Sequence, residues 1–259
     1  MLQRSPCRDE RGRKTSLTRK KVLQIAVIFV IVSSLAMSLC IVYLAGTPYA
    51  QGAIRVACIG DSITHGSGYP ENLQFLLGSN YRVANFGVNG AGASQNSSKP
   101  YLQQSAFPRA QNFDPEIVII MLGTNDAKAT NNTQDLEAFQ DSYEELIREF
   151  AALPGDQQFF IVDPPPILNN TLNLSNETLV QDVIPQINQV ANDLSLPTVD
   201  VYSMISNHTD VLGDGVHPSS YGGQLIADKI YQTMNSIEQQ YTPPPPPSPS
   251  YDDTAASGS

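Results

Sequence analysis

The chain has 259 residues and a formal net charge of -10, and this length suits one catalytic domain with short accessory segments. The charge is unevenly distributed: eight basic and two acidic residues before Val22 give the amino terminus +6, so the remainder carries -16. An acidic body argues against nucleic acid as a partner. The three cysteines, Cys7, Cys40 and Cys58, do not form a disulfide framework, and Cys58 is expected to be a buried apolar residue.

The amino-terminal segments indicate membrane insertion. Residues 1–21 are a basic head, and residues 22–45 contain no charge. The uncharged run is long enough to cross a membrane, because about 20 apolar residues suffice to cross the hydrocarbon core. A signal peptide usually has an apolar region of about 7–15 residues. We therefore interpret 22–45 as a transmembrane signal anchor, the alternative being a cleaved signal peptide and a secreted protein. Because positive residues stay cytosolic, we expect a single-pass type II membrane protein whose catalytic domain lies in the secretory-pathway lumen or outside the cell.

Acceptor sequons for N-glycosylation agree with this topology, since all of them follow the uncharged run. Their asparagines are Asn96, Asn131, Asn169, Asn173, Asn176 and Asn207.

Strand-like and helix-like segments alternate between residues 53 and 240, the predicted extent of the domain. The predicted strands are Ile54–Ile59, Tyr81–Phe86, Ile117–Leu122, Phe159–Val162 and Thr198–Val201. The predicted helices are Tyr69–Leu77, Tyr101–Phe113 with an interruption at Pro108, Leu136–Leu153, Thr178–Leu194 with a kink at Pro185, and Tyr221–Ile237. This alternation indicates an α/β fold with a mostly parallel five-stranded sheet covered on both faces. The Pro-rich residues 241–259 are expected to be a disordered tail.

The candidate nucleophile is Ser62, in the turn Gly60-Asp61-Ser62 that is predicted to end the first strand. Ligands bind open α/β sheets at the carboxyl ends of their strands. A serine hydroxyl needs a base to take its proton, and the chain has only three histidines. His65 is expected to line the pocket on the same turn, and His208, inside a sequon, is expected to be exposed.

The candidate base is His217, three residues after Asp214 and just before the last helix. This spacing lets the Asp214 carboxylate hold one ring nitrogen while the other faces outward. A carboxylate in that position fixes the tautomer and stabilises the imidazolium that forms.

The third candidate region follows the buried third strand, in the sequence Gly123-Thr124-Asn125-Asp126. The Asn125 amide can donate to a developing oxyanion, and backbone N–H groups of the Gly87–Gly92 loop can add a second donor. Alternatively, Asn125 and Asp126 cap the helix that follows.

These residues resemble the SGNH (GDSL-type) hydrolases in four blocks and in their order, covering roughly residues 53–238. The blocks are Gly60-Asp61-Ser62, Asn85-Phe86-Gly87-Val88-Asn89-Gly90, Gly123-Thr124-Asn125-Asp126 and Asp214-Gly215-Val216-His217-Pro218. The resemblance implies a flavodoxin-like three-layer α/β/α fold and a catalytic Ser62, Asp214 and His217. It also implies oxyanion donors from the Ser62 N–H, the Gly90 N–H and the Asn125 amide, with Gly87 as the competing second-block glycine. It implies neither a metal nor an organic cofactor.

The substrate is not specified by the blocks, because the resembled family hydrolyses many esters and thioesters. The loops expected at the sheet's carboxyl edge are short and polar, which favours a small acyl group, most simply acetyl, on a polar carrier such as an O-acetylated glycan. With no Trp in the chain, Tyr69 and Tyr101 are candidates for sugar stacking. The alternatives are a lysophospholipase or lipid esterase, made plausible by the anchor, and a non-catalytic glycan-binding ectodomain.

Overall fold

The computed structural model describes residues 21–34, 49–129 and 138–241. The first of these segments is an α-helix, α1, whose apolar side chains are exposed, Val22, Ile25 and Phe29 among them. Within the described segments no helix combines the length and apolarity needed to cross a membrane. Residues 35–45 of the predicted span lie outside the described segments, as do residues 1–20 of the basic head and residues 242–259 of the tail, so the membrane span stays a prediction.

Residues from Tyr49 onward form a separate compact unit built on a five-stranded, fully parallel sheet. Its strands are β1 (Ile54–Gly60), β2 (Tyr81–Gly87), β3 (Ile117–Met121), β4 (Gln158–Val162) and β5 (Thr198–Val199), in the spatial order β2-β1-β3-β4-β5. In the register, Val56 of β1 lies beside Val83 of β2 and Ile117 of β3. The predicted parallel sheet is therefore confirmed, with β1 and β3 in its interior.

The helices cover both faces of this sheet. They are α2 (Ser62–Gly66), α3 (Tyr69–Leu77), α4 (Ala106–Asn112), α5 (Phe139–Ala151), α6 (Asn176–Thr178), α7 (Ile184–Asp193), α8 (Val201–Ser206) and α9 (Ser220–Tyr241). A π-helical turn, Leu179–Val183, joins α6 to α7, so the predicted helix is interrupted just before Pro185. The result is a three-layer α/β/α fold, as the sequence predicts.

Two cores form because side chains alternate along the strands. One face buries Ala57, Ile59, Val118 and Ile120 against α4, α5 and α7. The opposite face buries Val56, Cys58, Ile119 and Met121 against α3, α8 and α9. Both faces of β1 and β3 are thus apolar and covered, which explains their nearly unbroken apolar sequences, and Cys58 is buried as predicted.

The structure corrects the predicted helix Tyr101–Phe113. A 3₁₀ turn, Tyr101–Gln103, is followed by α4, so the chain breaks before Ala106 and not at Pro108. Pro108 lies in the first turn of α4, where a proline's missing N–H removes no intrahelical hydrogen bond.

The prediction that β5 extends to Val201 is also wrong. The strand stops at Val199, and the Asp200 carboxylate accepts a hydrogen bond from Ser203 N (2.8 Å), capping α8. An aspartate that satisfies the free N–H groups at a helix start favours the helix over another strand residue.

Candidate active site

Ser62 is the first residue of α2, immediately after the carboxyl end of β1. Asp61 precedes it as the N-cap, and its Oδ1 accepts from Ile63 N (2.8 Å). The strand that follows β1 in sequence, β2, lies on one side of it, and the next strand, β3, lies on the other. Such a reversal of strand order is a topological switch point, where open α/β sheets bind ligands. The Gly-Asp-Ser sequence was predicted as a turn; the capping Asp61 converts it into a helix start.

Short α2 is held against the end of β2. Asn85 Nδ2 donates to Thr64 O (2.9 Å), and Asn85 Oδ1 accepts from Gly87 N (3.0 Å). A Cβ on Gly87 would lie 2.3 Å from His65 N, so only glycine permits this approach. The second predicted block therefore positions the helix that carries Ser62.

His217 connects Ser62 to Asp214, as the spacing predicts. Its Nε2 lies 2.8 Å from Ser62 Oγ, and its Nδ1 lies 2.7 Å from Asp214 Oδ2. Because a carboxylate only accepts hydrogen bonds, Nδ1 carries the ring proton and Nε2 accepts from the serine hydroxyl. The three side chains thus form one continuous chain of hydrogen bonds.

Asp214 also holds the backbone of its own loop. Its Oδ1 accepts from Val216 N (2.9 Å) and from His217 N (2.7 Å). Burial of the carboxylate opposes its charge, but the hydrogen bonds from His217 and Val216 outweigh this and lower the pKa of Asp214 to about 2. The side chains of His217 and Asp214 are nevertheless 38% and 57% exposed, so this half of the site meets solvent.

Asn125 and Gly90, the predicted oxyanion donors, line the same cavity as Ser62. Asn125 Nδ2 donates to Ala91 O (3.0 Å) and makes a longer contact to Asp61 Oδ2 (3.3 Å). Gly90 has φ of 74°, a conformation that glycine adopts readily. The predicted donors therefore lie in the wall of one cavity, while Gly87, the competing glycine, packs against α2.

Asp126 has a role that sequence reasoning missed. Its Oδ2 accepts from Ala93 N and its Oδ1 from Ser94 N, both at 2.9 Å. Burial raises the pKa of this carboxyl to about 6, although these two backbone bonds oppose the shift. Asp126 thus fixes the Gly-rich loop that follows Gly90; its partners lie more than 30 residues earlier, so nothing local in the sequence reveals the contact.

Asp61 is the second buried carboxylate beside the serine, with 1% of its surface exposed. Burial raises the pKa of Asp61 to about 6, against the opposing hydrogen bond from Ile63 N. The charge of Asp126 raises it further, while His217 lowers it.

The cavity at Ser62 has a volume of about 700 Å³, within the range of small-molecule sites. Its wall includes His65, as predicted, together with Asn89, Lys128 and Leu174. Among the described residues, no group of three or more His, Cys, Asp or Glu side chains is placed to hold a metal ion.

Tyr69 and Tyr101 do not stack on a sugar, so this expectation was wrong. Both side chains are fully buried. The Tyr101 hydroxyl donates to Phe86 O (2.8 Å), and the Tyr69 hydroxyl lies 3.3 Å from Thr64 Oγ1. Each hydroxyl finds its partner inside the protein, which allows the ring to be buried.

The predicted glycosylation sites differ in exposure. Asn96, Asn169, Asn173 and Asn207 are exposed, as is the sequon residue His208, while Asn131 lies outside the described residues. The Asn176 amide is half-buried: it donates to Tyr202 OH (3.0 Å) and accepts from Ile167 N (2.9 Å). A glycan on Asn176 would therefore have to break contacts that the folded domain makes.

Ser62, His217 and Asp214 are linked by hydrogen bonds at the carboxyl edge of a parallel sheet. This is the arrangement of serine hydrolases. The chain belongs to the GDSL-like lipase/acylhydrolase family, whose model matches residues 58–225, and this is the family indicated by the four sequence blocks. An acetylxylan esterase of Xylanibacter ruminicola is 32% identical over 206 residues, 70% of this chain and 43% of that protein. A GDSL esterase/lipase, WDL1, of Oryza sativa subsp. japonica is 20% identical, over 51% of this chain and 58% of that protein. The chain thus spans about half the length of these curated relatives.

Solved structures share the fold. A carbohydrate acetylesterase family member from Sinorhizobium meliloti superposes with a TM-score of 0.58, at 19% identity over 71% of this chain and 98% of that chain. Axe2, an acetylxylan esterase from Geobacillus stearothermophilus, in the form of a catalytic mutant, gives 0.57 at 20% identity, over 73% and 96%.

Proposed function

We propose that this protein is a serine ester hydrolase that removes small acyl groups, most simply acetyl, from a polar carrier such as a glycan. The observation that carries this proposal is the hydrogen-bonded chain from Ser62 through His217 to Asp214, open to the cavity.

The reaction proceeds through an acyl-enzyme. Ser62 Oγ attacks the ester carbonyl while its proton passes to His217 Nε2, and the carbonyl oxygen becomes an oxyanion. Asp214 stabilises the imidazolium, which then protonates the departing alcohol as the carbon–oxygen bond breaks. Water repeats the sequence: it gives a proton to His217, attacks the acyl carbon and releases the carboxylic acid, and Ser62 recovers its proton.

The oxyanion is held by the backbone N–H groups of Ser62 and Gly90 and by the Asn125 amide. The longer contact of Asn125 Nδ2, at 3.3 Å to Asp61, is the weaker of its two and the one that a substrate oxygen would replace. A single such donor contributes a factor of about 10²–10³ in rate.

Acetyl is favoured because the cavity has polar groups around the serine. Asn89, Ser98 and Lys128 lie in its wall, whereas sites for long acyl chains are lined mainly by hydrophobic and aromatic side chains. The relatives named as acetylxylan esterase and carbohydrate acetylesterase point the same way.

The test compares kcat/KM for acetyl, butyryl and octanoyl esters of one alcohol, with Ser62→Ala as the control. We expect the native chain to cleave the acetyl ester best and Ser62→Ala to cleave it at least about 10⁴-fold more slowly. Near-native hydrolysis by Ser62→Ala would remove the mechanism, and absence of hydrolysis of every ester by the native chain would favour a binding-only ectodomain.

A lysophospholipase is the second candidate, because Leu172 and Leu174 bring apolar side chains to the cavity and Leu172 is 52% exposed. Preference for the octanoyl ester, or efficient cleavage of a lysophospholipid, would promote it over the glycan esterase.

We also propose that residues 22–45 anchor the protein as a type II membrane protein, since this run is uncharged and follows a head of charge +6. Protease added outside intact vesicles should remove only about the first 20 residues, because that is the length preceding a span. A glycosidase should lower the mass of the protected part through glycans at the exposed Asn96, Asn169, Asn173 and Asn207. An accessible carboxyl terminus with a protected amino terminus would reverse the topology.

A further inference from the structure

The cavity at Ser62 differs in charge from the rest of the body. Beyond Val22 the chain has a net charge of -16, yet no aspartate or glutamate is among the described residues that line the cavity. The same wall includes Lys128 and the imidazoles of His65 and His217. The described wall of the cavity therefore contains cationic and neutral side chains but no acidic one, and the nearby Asp214 carboxylate is paired with His217.

Lys128 is the one lysine or arginine among the described wall residues. Other cations of the body are engaged: Arg55 pairs with Asp114 and Glu116, Arg148 with Glu144, and Lys99 Nζ donates to Asn89 O. Within the described part of the chain, the Lys128 ammonium has no ion pair within 4.0 Å, although its charge reaches Asp126, whose pKa it lowers. Among the described residues, no ion pair therefore holds the ammonium away from an anion in the cavity.

The backbone at Lys128 is held firmly where two loops meet. Lys128 forms an antiparallel bridge with Leu174, and Ala129 N donates to Asn173 O (3.0 Å). On the other side, Ser175 N donates to Ala127 O (2.8 Å), and Thr178 Oγ1 donates to Lys128 O (3.3 Å). This cross-linking fixes the backbone of Lys128 at the cavity wall.

We propose that Lys128 selects substrates whose carrier has an anionic group, a carboxylate or a sulfate, close to the ester that Ser62 attacks. The substrate class is then an O-acetylated acidic sugar. This inference rests on the proposed ester hydrolase function. An ammonium recognises either anion as a compact point charge. Salt at physiological ionic strength screens charges beyond about 8 Å, so distant acidic residues of the body repel a short anionic substrate only weakly. The nearby Lys128 ammonium then determines whether that substrate is preferred.

The test uses three methyl glycosides that share one acetyl position: the glucuronoside, the 6-sulfated glucoside and the neutral glucoside. For the full chain, kcat/KM for at least one anionic ester should exceed that for the neutral ester by about 2–5-fold, the upper part of the range for a solvent-exposed ion pair. The anionic ester that is cleaved better shows whether the preferred group is a carboxylate or a sulfate. The preference should shrink as ionic strength rises from about 0.05 M to about 0.5 M.

The variants assign this preference to Lys128. Lys128→Met should bring the anionic-to-neutral ratio close to one, Lys128→Glu should invert it, and Lys128→Arg should keep it. Lys229→Met, which removes a charge from α9 away from the cavity, is the matched control and should behave as the native chain does.

Hydrolysis of 4-nitrophenyl acetate, measured in parallel, separates the two proposals. If the native chain cleaves this ester but treats anionic and neutral sugars alike, or if Lys128→Met keeps the preference, the inference about Lys128 is overturned and the esterase stands. If the native chain cleaves none of the esters, the proposed function fails and the inference fails with it.

Discussion

Both halves of the active site place a carboxylate beside a catalytic group, but the carboxylates are buried on the serine side and exposed on the histidine side. On the serine side, Asp61 is 1% exposed and Asp126 6% exposed, and burial raises the pKa of each to about 6. On the histidine side, the Asp214 side chain is 57% exposed and its pKa falls to about 2.

This difference shows that burial and hydrogen bonding compete over the charge of an aspartate. Asp61 and Asp126 serve the structure, because one caps α2 and the other fixes the loop after Gly90. Asp214 must stay ionised while His217 gains and loses a proton. Its exposed loop with three hydrogen bonds keeps it charged, at the cost of weaker electrostatic support in solvent.

The largest effect should come from removing the hydrogen bond between Ser62 and His217, which joins the two halves. Ser62→Ala and His217→Ala should each reduce kcat by about 10⁴–10⁶, and the double variant should lose no more than either single one, because the two groups act as a unit. Labelling with a fluorophosphonate should disappear in Ser62→Ala. Additive losses would mean that the residues act independently.

On the buried side, Gly87→Ala should misplace α2. The new Cβ would lie 2.3 Å from His65 N, so the helix must shift, with a loss of stability of about 1–3 kcal/mol. A displacement of about 1 Å can reduce the rate by about 10². The control is Gly66→Ala, where a Cβ meets no atom within 4 Å. Equal activity in both variants would show that the contact does not position Ser62.

On the exposed side, Asp214→Asn should have a smaller effect than removal of a buried triad carboxylate. Replacing a buried one reduces kcat by about 10⁴, whereas solvent at Asp214 screens its charge, so we expect about 10–10². Asn retains an acceptor for the loop N–H groups, and circular dichroism should show a native fold. A loss as large as that of His217→Ala would mean that Asp214 acts as a buried carboxylate does.

The sequence predicts the elements whose cause is local. Apolar runs identify β1 and β3, and the spacing of Asp214 and His217 predicts their hydrogen bond. The sequence does not predict that Tyr69 and Tyr101 are buried, because the partners of their hydroxyls are set by the tertiary fold.

Capping residues are the other source of error. Asp61 starts α2 where a turn was predicted, and Asp200 ends β5 early by starting α8. In both places an aspartate follows a strand, and only the path of the chain after it decides between turn and helix.

The smallest effect concerns Asp163, a third buried aspartate that lies at the end of β4, outside the described cavity wall. It is 6% exposed and its Oδ1 has no hydrogen-bond partner. Burial, together with the charge of Asp200, raises the pKa of Asp163 to about 7, against a hydrogen bond from Asn188. Asp163 therefore tests whether a buried aspartate outside the active site has a raised pKa, as Asp61 and Asp126 have.

A carboxyl whose pKa is raised in the folded state binds its proton more tightly there than in the unfolded chain, whose aspartates titrate near about 3.9. The stability this gives is present below about pH 4 and is lost as pH rises through about 7. Asp163→Asn removes the titration, so its free energy of unfolding relative to the native chain should rise by about 1–3 kcal/mol between about pH 4.5 and about pH 8. Urea denaturation at both pH values measures this difference, with the exposed Asp156→Asn as control. A relative stability that stays constant with pH, or falls, would show that Asp163 is ionised in the folded domain at low pH, and that burial does not by itself set the charge of an aspartate in this fold.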